Sequence, residues 1–274
     1  MPLLEERRGI MLPIRYLTLD SPFWMVTGNT MSSSHEDRNF KRVILKLSGE
    51  ALREPGSQDN ISPEIVERVA KEIKKATDQD IEIGIVCGGG NFWRGASASA
   101  RGMDRATADY VGMLATVMNA LALQSALEAE DVTCIVQSAI EMKNVAEPFI
   151  RRKADCQLSA KKVVIFAAGT GSPFFSTDTT AALRASEMNA NAIMKATMVD
   201  GVYCSDPKKN PDAVRYEQVS FSECLQQNLQ VMDSTAFTLC KDNNIPIIVF
   251  DINGDGNITK ALAGDDIGTM ICEG

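Results

Sequence analysis

The sequence has one histidine in 274 residues, His35, and it lies in a polar N-terminal stretch. A Ser-His-Asp triad, a histidine-ligated zinc or a histidine general base would each need one in the folded body. Chemistry in that body must therefore run on Lys, Arg, Asp, Thr and backbone donors. No Cys-x-x-Cys pair occurs among the seven cysteines (Cys87, Cys134, Cys156, Cys204, Cys224, Cys240, Cys272). The odd number and scattered spacing argue against a zinc or disulfide framework and for thiols kept reduced. The compartment expected is the cytoplasm, or the plastid stroma if the source is a plant or alga. No run of about 18 apolar residues is present, so no membrane-spanning helix is expected. The Walker A pattern and the Gly-x-Gly-x-x-Gly fingerprint are also missing, which counts against P-loop kinases and Rossmann dehydrogenases.

What is present is an ordinary globular composition, 45% apolar and 23% charged, on a chain long enough for a full core. A net charge of −8 and a pI near 4.9 disfavour binding to nucleic acid. A small anionic ligand needs only a local cluster of donors. Residues 1–40 mix apolar pieces with Ser32, Ser33, Ser34 and a charged stretch. Acidic Glu5, Glu6, Asp20, Glu36 and Asp37 weaken a transit-peptide reading. A poorly structured extension over residues 1–40 is expected, followed by a catalytic body over residues 41–274.

From Arg42 onward, strand and helix patterns alternate. Apolar runs at residues 43–47, 81–87, 132–137, 163–168, 192–195 and 246–250 predict strands. Ser62-Pro63 reads as a helix start, and Ile65, Val69 and Ile73 recur on one face. Helices are expected over residues 107–130, 146–154, 178–190, 232–241 and 257–263. In the longest, Met113, Leu114, Val117, Met118, Leu121 and Leu127 are expected to be core. This alternation predicts an α/β fold, a three-layer αβα sandwich with a mainly parallel central sheet.

Ligands in such sheets sit beyond the carboxyl ends of strands. Three glycine-bearing turns follow strands here: Lys46-Leu47-Ser48-Gly49, Gly88-Gly89-Gly90-Asn91 and Gly169-Thr170-Gly171. Any one of them alone reads more readily as a tight turn than as a binding loop. Three together favour a phosphate site, because glycine lets backbone N–H groups approach an anion. Phosphoryl transfer needs positioning and positive charge above all. Lys46 interrupts an apolar strand, which gives it a reason to be there, and Arg94 follows the triple glycine. Asp178 either caps the helix that it opens or organises those cations, two readings the sequence leaves level.

The motifs Lys46-Leu47-Ser48-Gly49-Glu50-Ala51-Leu52, Gly88-Gly89-Gly90-Asn91-Phe92-Trp93-Arg94-Gly95 and Asp109-Tyr110-Val111-Gly112-Met113-Leu114-Ala115-Thr116-Val117-Met118-Asn119 closely resemble UMP kinases of the amino-acid-kinase superfamily. So do Gly169-Thr170-Gly171-Ser172-Pro173-Phe174-Phe175-Ser176-Thr177-Asp178 and the stretch from Lys195 to Tyr203. The resemblance runs over residues 42–271 and has the flavour of plant and cyanobacterial members. It implies transfer of the γ-phosphoryl group of ATP to UMP, with Mg²⁺ carried by ATP and no metal held by protein ligands. It places Lys46, Leu47, Ser48, Gly49, Gly90 and Arg94 at the ATP phosphates, and Thr197, Tyr203 and Asp206 around the adenine and its ribose. Gly89, Asp109, Thr170, Gly171, Ser172, Pro173, Phe174, Phe175, Ser176 and Thr177 would hold UMP, with Asp109 on the ribose. Lys46, Arg94 and Asp178 would carry the catalysis. A homohexamer is implied, with no nucleic-acid or membrane partner.

Ser172, Trp93 and Asn191 depart from the family pattern. Residues 53–60 lack the glycine-rich loop of several bacterial members, so GTP activation is not expected to carry over. The alternatives are a carboxylate-phosphorylating kinase of the same fold and a non-catalytic UMP-binding homologue.

Overall fold

A computed structural model describes residues 40–207, 209–229 and 231–273. The extension expected over residues 1–40 therefore lies, Phe40 apart, outside the described residues, and so does His35. The described residues form one nine-stranded sheet. Its strands are β1 (Arg42–Leu47), β2 (Glu82–Cys87), β3 (Cys134–Ser138), β4 (Glu147–Pro148), β5 (Val163–Ala167), β6 (Ala192–Thr197), β7 (Gln218–Ser220), β8 (Ile247–Asp251) and β9 (Thr269–Cys272). The spatial order is β4-β3-β5-β2-β1-β6-β8-β9-β7, and only the β8–β9 pair is antiparallel.

β1 lies between β2 and β6. The chain steps to one side of β1 for β2, β5 and β3 and to the other for β6 and β8. The carboxyl ends of β1 and β6 thus flank the crevice where strand order reverses, the usual ligand position in open α/β sheets.

Helices cover both faces. α1 (Pro63–Thr77), α3 (Arg105–Ala129) and α8 (Asn257–Ala263) bury their apolar residues on one side. α4 (Arg151–Ser159), α5 (Thr177–Glu187), α6 (Phe221–Gln226) and α7 (Ser234–Asp242) do so on the other. α2 (Gly95–Ser99) is a single short turn near the site. Side chains alternate along a strand, and the alternation decides which layer each one meets. Val43, Leu45 and Leu47 enter the α1/α3 layer, while Ile44 enters the α5 layer. Likewise Ala192, Met194 and Ala196 face α1/α3, and Ile193 faces α5. Lys46 and Lys195 share the parity of Ile44 and Ile193.

The Ser62 start is a true cap: its hydroxyl accepts from the Ile65 N–H at 3.3 Å, with Pro63 at the first helical position. The helix expected over residues 146–154 is corrected. Glu147–Pro148 instead forms a two-residue edge strand beside β3, and the helix begins at Arg151. Pro148 lacks a donor and is tolerated at a sheet edge. α3 also differs from expectation. Met113, Val117 and Leu127 are core, but Leu114 and Met118 are about half exposed, together with Tyr110. By length and composition alone α3 is long and apolar enough to cross a bilayer. Its inner face packs on the sheet, and Asn119 is wholly buried in hydrogen bonds.

Candidate active site

The register of β1 against β6 places Lys46 directly beside Lys195. Two buried ammonium groups side by side would repel, so a counter-charge must meet them. Asp178, in the first turn of α5, supplies it. Lys46 Nζ lies 2.7 Å from its Oδ1 and Lys195 Nζ 2.8 Å from its Oδ2. Both lysines thus draw on the one carboxylate, each at hydrogen-bond distance. Burial would raise the Asp178 carboxyl, but the two lysines outweigh it and hold its pKa below the ordinary carboxylate range. Burial lowers the Lys195 ammonium; Asp178 opposes that shift in part and Lys46 reinforces it. Lys195 also donates to the Val231 carbonyl.

Of the two roles open to Asp178, the cap falls elsewhere. Ser176 caps α5, its hydroxyl accepting from the N–H groups of Asp178 and Thr179 at 3.0 Å each. Ser176 in turn donates to Asp233, which also accepts from the Thr179 hydroxyl at 2.9 Å and caps α7. The start of α5 is thereby tied to α7, and Asp178 is fixed under both lysines.

The first two glycine turns touch backbone to backbone. A Cβ on Gly49 would stand 2.7 Å from the Gly90 nitrogen and 2.8 Å from the Gly88 oxygen. No side chain fits between them. Asn91 and Asn119, both buried, exchange amide hydrogen bonds of 2.9 and 2.8 Å, and Asn119 also donates to the Gly88 carbonyl at 2.6 Å. This pair ties the triple-glycine turn to α3. Leu47 ends β1 and is buried, and Ser48 precedes a 3-10 turn over Gly49–Leu52. Arg94 is exposed and pairs with Glu50 of that turn.

A cavity of about 150 Å³ opens between the triple-glycine turn, α3 and the loop after β5. Its lining brings together Gly89, Asp109, Thr170, Phe175, Ser176 and Thr177 from the expected UMP set. Gly171, Ser172, Pro173 and Phe174 belong to the same loop but do not line it. The Ala168 and Gly169 backbones both have φ near +60°, and Gly171 has φ +80°. A Cβ on Gly171 would meet the Ala139 carbonyl at 2.9 Å. Thr116 Oγ1 accepts from the Ala168 N–H at 2.9 Å, fixing where the loop leaves β5.

On the other side of the sheet's centre, Thr197 ends β6 and its hydroxyl meets the Val199 carbonyl at 2.8 Å. Tyr203 donates to Asp200 at 2.8 Å, and the Asp206 carbonyl accepts from Lys209 and Asn210. None of the three lines the cavity. Asn191, one of the departures, stands at the opposite end of β6. Its side-chain oxygen accepts from the Lys41 and Arg42 N–H groups, a role in strand pairing that needs no charge. Trp93 lines the cavity, and its indole N–H donates to the Ala108 carbonyl at 3.0 Å.

The fold and the site define a class: an α/β protein whose topological switch point carries paired lysines around one carboxylate, beside glycine turns suited to an anion. Residues 41–251 match the sequence profile of the Amino acid kinase family. The chain belongs to that family. It is similar to the crystal structure of a UMP kinase from Bacillus anthracis, at 39% identity and TM-score 0.83, over 86% of this chain and 97% of that one. A UMP kinase from Ureaplasma parvum is similar at 39% identity and TM-score 0.81, over 85% and 99%. A uridylate kinase from Archaeoglobus fulgidus follows at 31% identity and TM-score 0.64, over 84% and 99%.

Proposed function

We propose that this protein is a UMP kinase, transferring the γ-phosphoryl group of MgATP to UMP in the making of pyrimidine nucleotides. The observation that carries the reading is the adjacency of two unlike subsites at the switch point. The Lys46–Asp178–Lys195 cluster lies at the ends of β1 and β6. The cavity holding Gly89, Asp109 and Thr177 opens next to it. Two UMP kinases at 39% identity support the choice of acceptor.

In this reading Lys46, Ser48, Gly49 and Gly90 receive the ATP phosphates, and Lys195 joins Lys46 as a second buried cation. Thr197, Tyr203 and Asp206 bound the adenosine. Asp109 and residues 170–177 hold UMP. A UMP phosphate oxygen attacks the γ-phosphorus while the bond from that phosphorus to the β-bridging oxygen breaks, leaving ADP and UDP. The attacking phosphate is already ionised near neutral pH, its second pKa being about 6 for such esters. No histidine base is required. Negative charge shifts onto the bridging oxygen, and fixed cations there lower the barrier. Asp178 holds the two lysines side by side and aimed. Among the described residues no three acidic, histidine or cysteine side chains converge as metal ligands. In this reading Mg²⁺ would enter with ATP as part of the substrate and would offset charge on its phosphates.

The catalytic domain in this reading spans residues 41–274, in a reducing compartment that is the cytoplasm or a plastid stroma. A homohexamer is part of the proposal, and the exposed stripe of Tyr110, Leu114 and Met118 gives α3 a surface for a second copy. Binding separates the alternatives. Saturable binding of UMP, with none of aspartate or N-acetylglutamate, supports the reading; preference for an amino acid would replace it with a carboxylate kinase. UMP binding without turnover would leave a non-catalytic homologue.

A further inference from the structure

Arg105 is the first residue of α3, directly after the Asp104 cap. Backbone N–H groups point outward at this end, so a cation there is electrostatically disfavoured. Its contacts supply the reason for it. Arg105 Nε donates to both oxygens of Asp109 one turn later, at 3.0 and 2.9 Å. Its guanidinium carbon sits 5.5 Å from the centre of the Phe174 ring. The Phe174 N–H donates to Asp109 Oδ2 at 2.8 Å.

Phe174 has φ +72°, a left-handed backbone that a bulky residue holds only when its surroundings fix it. The residue is also 67% exposed, so packing in a core does not hold it. The Asp109 carboxylate and the Arg105 guanidinium are what does. A third wall comes from α2, since a Cβ on Gly95 would stand 2.5 Å from Asp109 Oδ1. The carboxylate is thus roofed by Arg105, tethered to the loop after β5 and backed by α2, while still lining the cavity. A carboxylate offers about four acceptor positions. Those contacts leave room for a ligand hydroxyl in a narrow range of directions.

We infer that Arg105 is a positioning residue for the acceptor. By holding Asp109 and Phe174 together it sets how strictly the site requires a ribose hydroxyl. The inference rests on the UMP reading, in which Asp109 meets the ribose. Without Arg105 the carboxylate can rotate, the Phe174 loop loosens, and the demand for that hydroxyl relaxes.

The test compares Arg105→Gln and Arg105→Lys with the unaltered full chain, measuring kcat and KM for UMP, dUMP and ATP, and amide exchange at Phe174 without nucleotide. For Arg105→Gln the UMP KM should rise about tenfold, the scale of one charged hydrogen bond. The KM for ATP should hardly change. The preference for UMP over dUMP in kcat/KM should narrow, and the Phe174 amide should exchange faster. Arg105→Lys keeps the charge without the planar fork and should recover only part of the loss. An unchanged UMP-to-dUMP preference, or unchanged Phe174 exchange, would overturn the inference. Failure of the unaltered protein to use UMP would overturn the UMP reading instead, and the exchange measurement, which needs no nucleotide, would still decide the hold of Arg105 on Phe174. Should Arg105→Gln not fold, Arg105→Lys gives the same readouts with smaller changes.

Discussion

At the scale of single residues, the cations of the site differ in how firmly they are held. Arg94 is exposed and tied to nothing firmer than Glu50, so it is free to swing onto phosphates. Arg94→Ala should lower kcat about 10²-fold, the scale of losing one group that stabilises transition-state charge. Its UMP KM should change far less; unchanged kcat would remove Arg94 from the mechanism. Asp178 has the opposite character, since both its neighbours are buried ammonium groups. Asp178→Ala should destabilise the protein by about 3 kcal/mol, as removal of one partner from a buried ion pair does. Pyrophosphate should then restore more of the melting temperature than it adds to the unaltered protein, because an anion replaces the missing charge. Equal shifts in both proteins would contradict that picture. Lys46 is legible in the sequence because a lysine interrupts an apolar strand. Lys195 carries the same signal, but the strand pattern in the sequence stops there, at residues 192–195. In the structure β6 continues to Thr197, which makes Lys195 interior. Arg105 is not legible: an Arg four residues before an Asp reads as an ordinary surface pair on a helix.

At the scale of elements, the glycine turns work only because something holds them. The Asn91–Asn119 pair joins the triple-glycine turn to α3. Asn119→Ala should cost about 2 kcal/mol by taking the Asn119 donor from the Asn91 side-chain oxygen and the Gly88 carbonyl. It should also raise the KM for both nucleotides, which steady-state kinetics and a melting curve would check; loss of stability alone would confine the pair to a structural role. Element types from Arg42 to Leu127 follow the sequence periodicity closely. Two departures have clear causes. The Glu147–Pro148 edge strand is too short to show a period, and β7, α6 and β9 are short pieces whose apolar residues are spread over loops. Leu114 and Met118 mislead for a different reason. Hydrophobic spacing reports which face of α3 is apolar, and here both faces are.

At the scale of the whole molecule, acid should loosen the site, whereas neutral pH leaves it intact. The folded Asp178 pKa lies below its unfolded value, so the unfolded chain binds the proton more readily in between. Its contribution to stability is present above about pH 4, near the free carboxylate value, and is lost as pH falls through the lower folded pKa. Melting temperature against pH, compared with Asp178→Asn, should show the difference fading in that window. Thiol reactivity should divide the cysteines by burial. Cys156 and Cys204 are exposed and should label in the native protein. Burial pushes Cys87, Cys134 and Cys240 up to about 12 and Cys224 to about 11, so these four should label only on unfolding. The fold is the most legible level of all, because alternating strands and helices leave few arrangements. The acceptor is legible only through the resemblance of its loops, since glycine turns and lysines serve any phosphate.

The most direct test of the account is ADP release from ATP and Mg²⁺ with UMP, CMP, dUMP, aspartate and N-acetylglutamate offered singly as acceptors. Release with UMP well above every other acceptor is the predicted result. Release with an amino acid in preference to UMP, or with no acceptor at all, would contradict it.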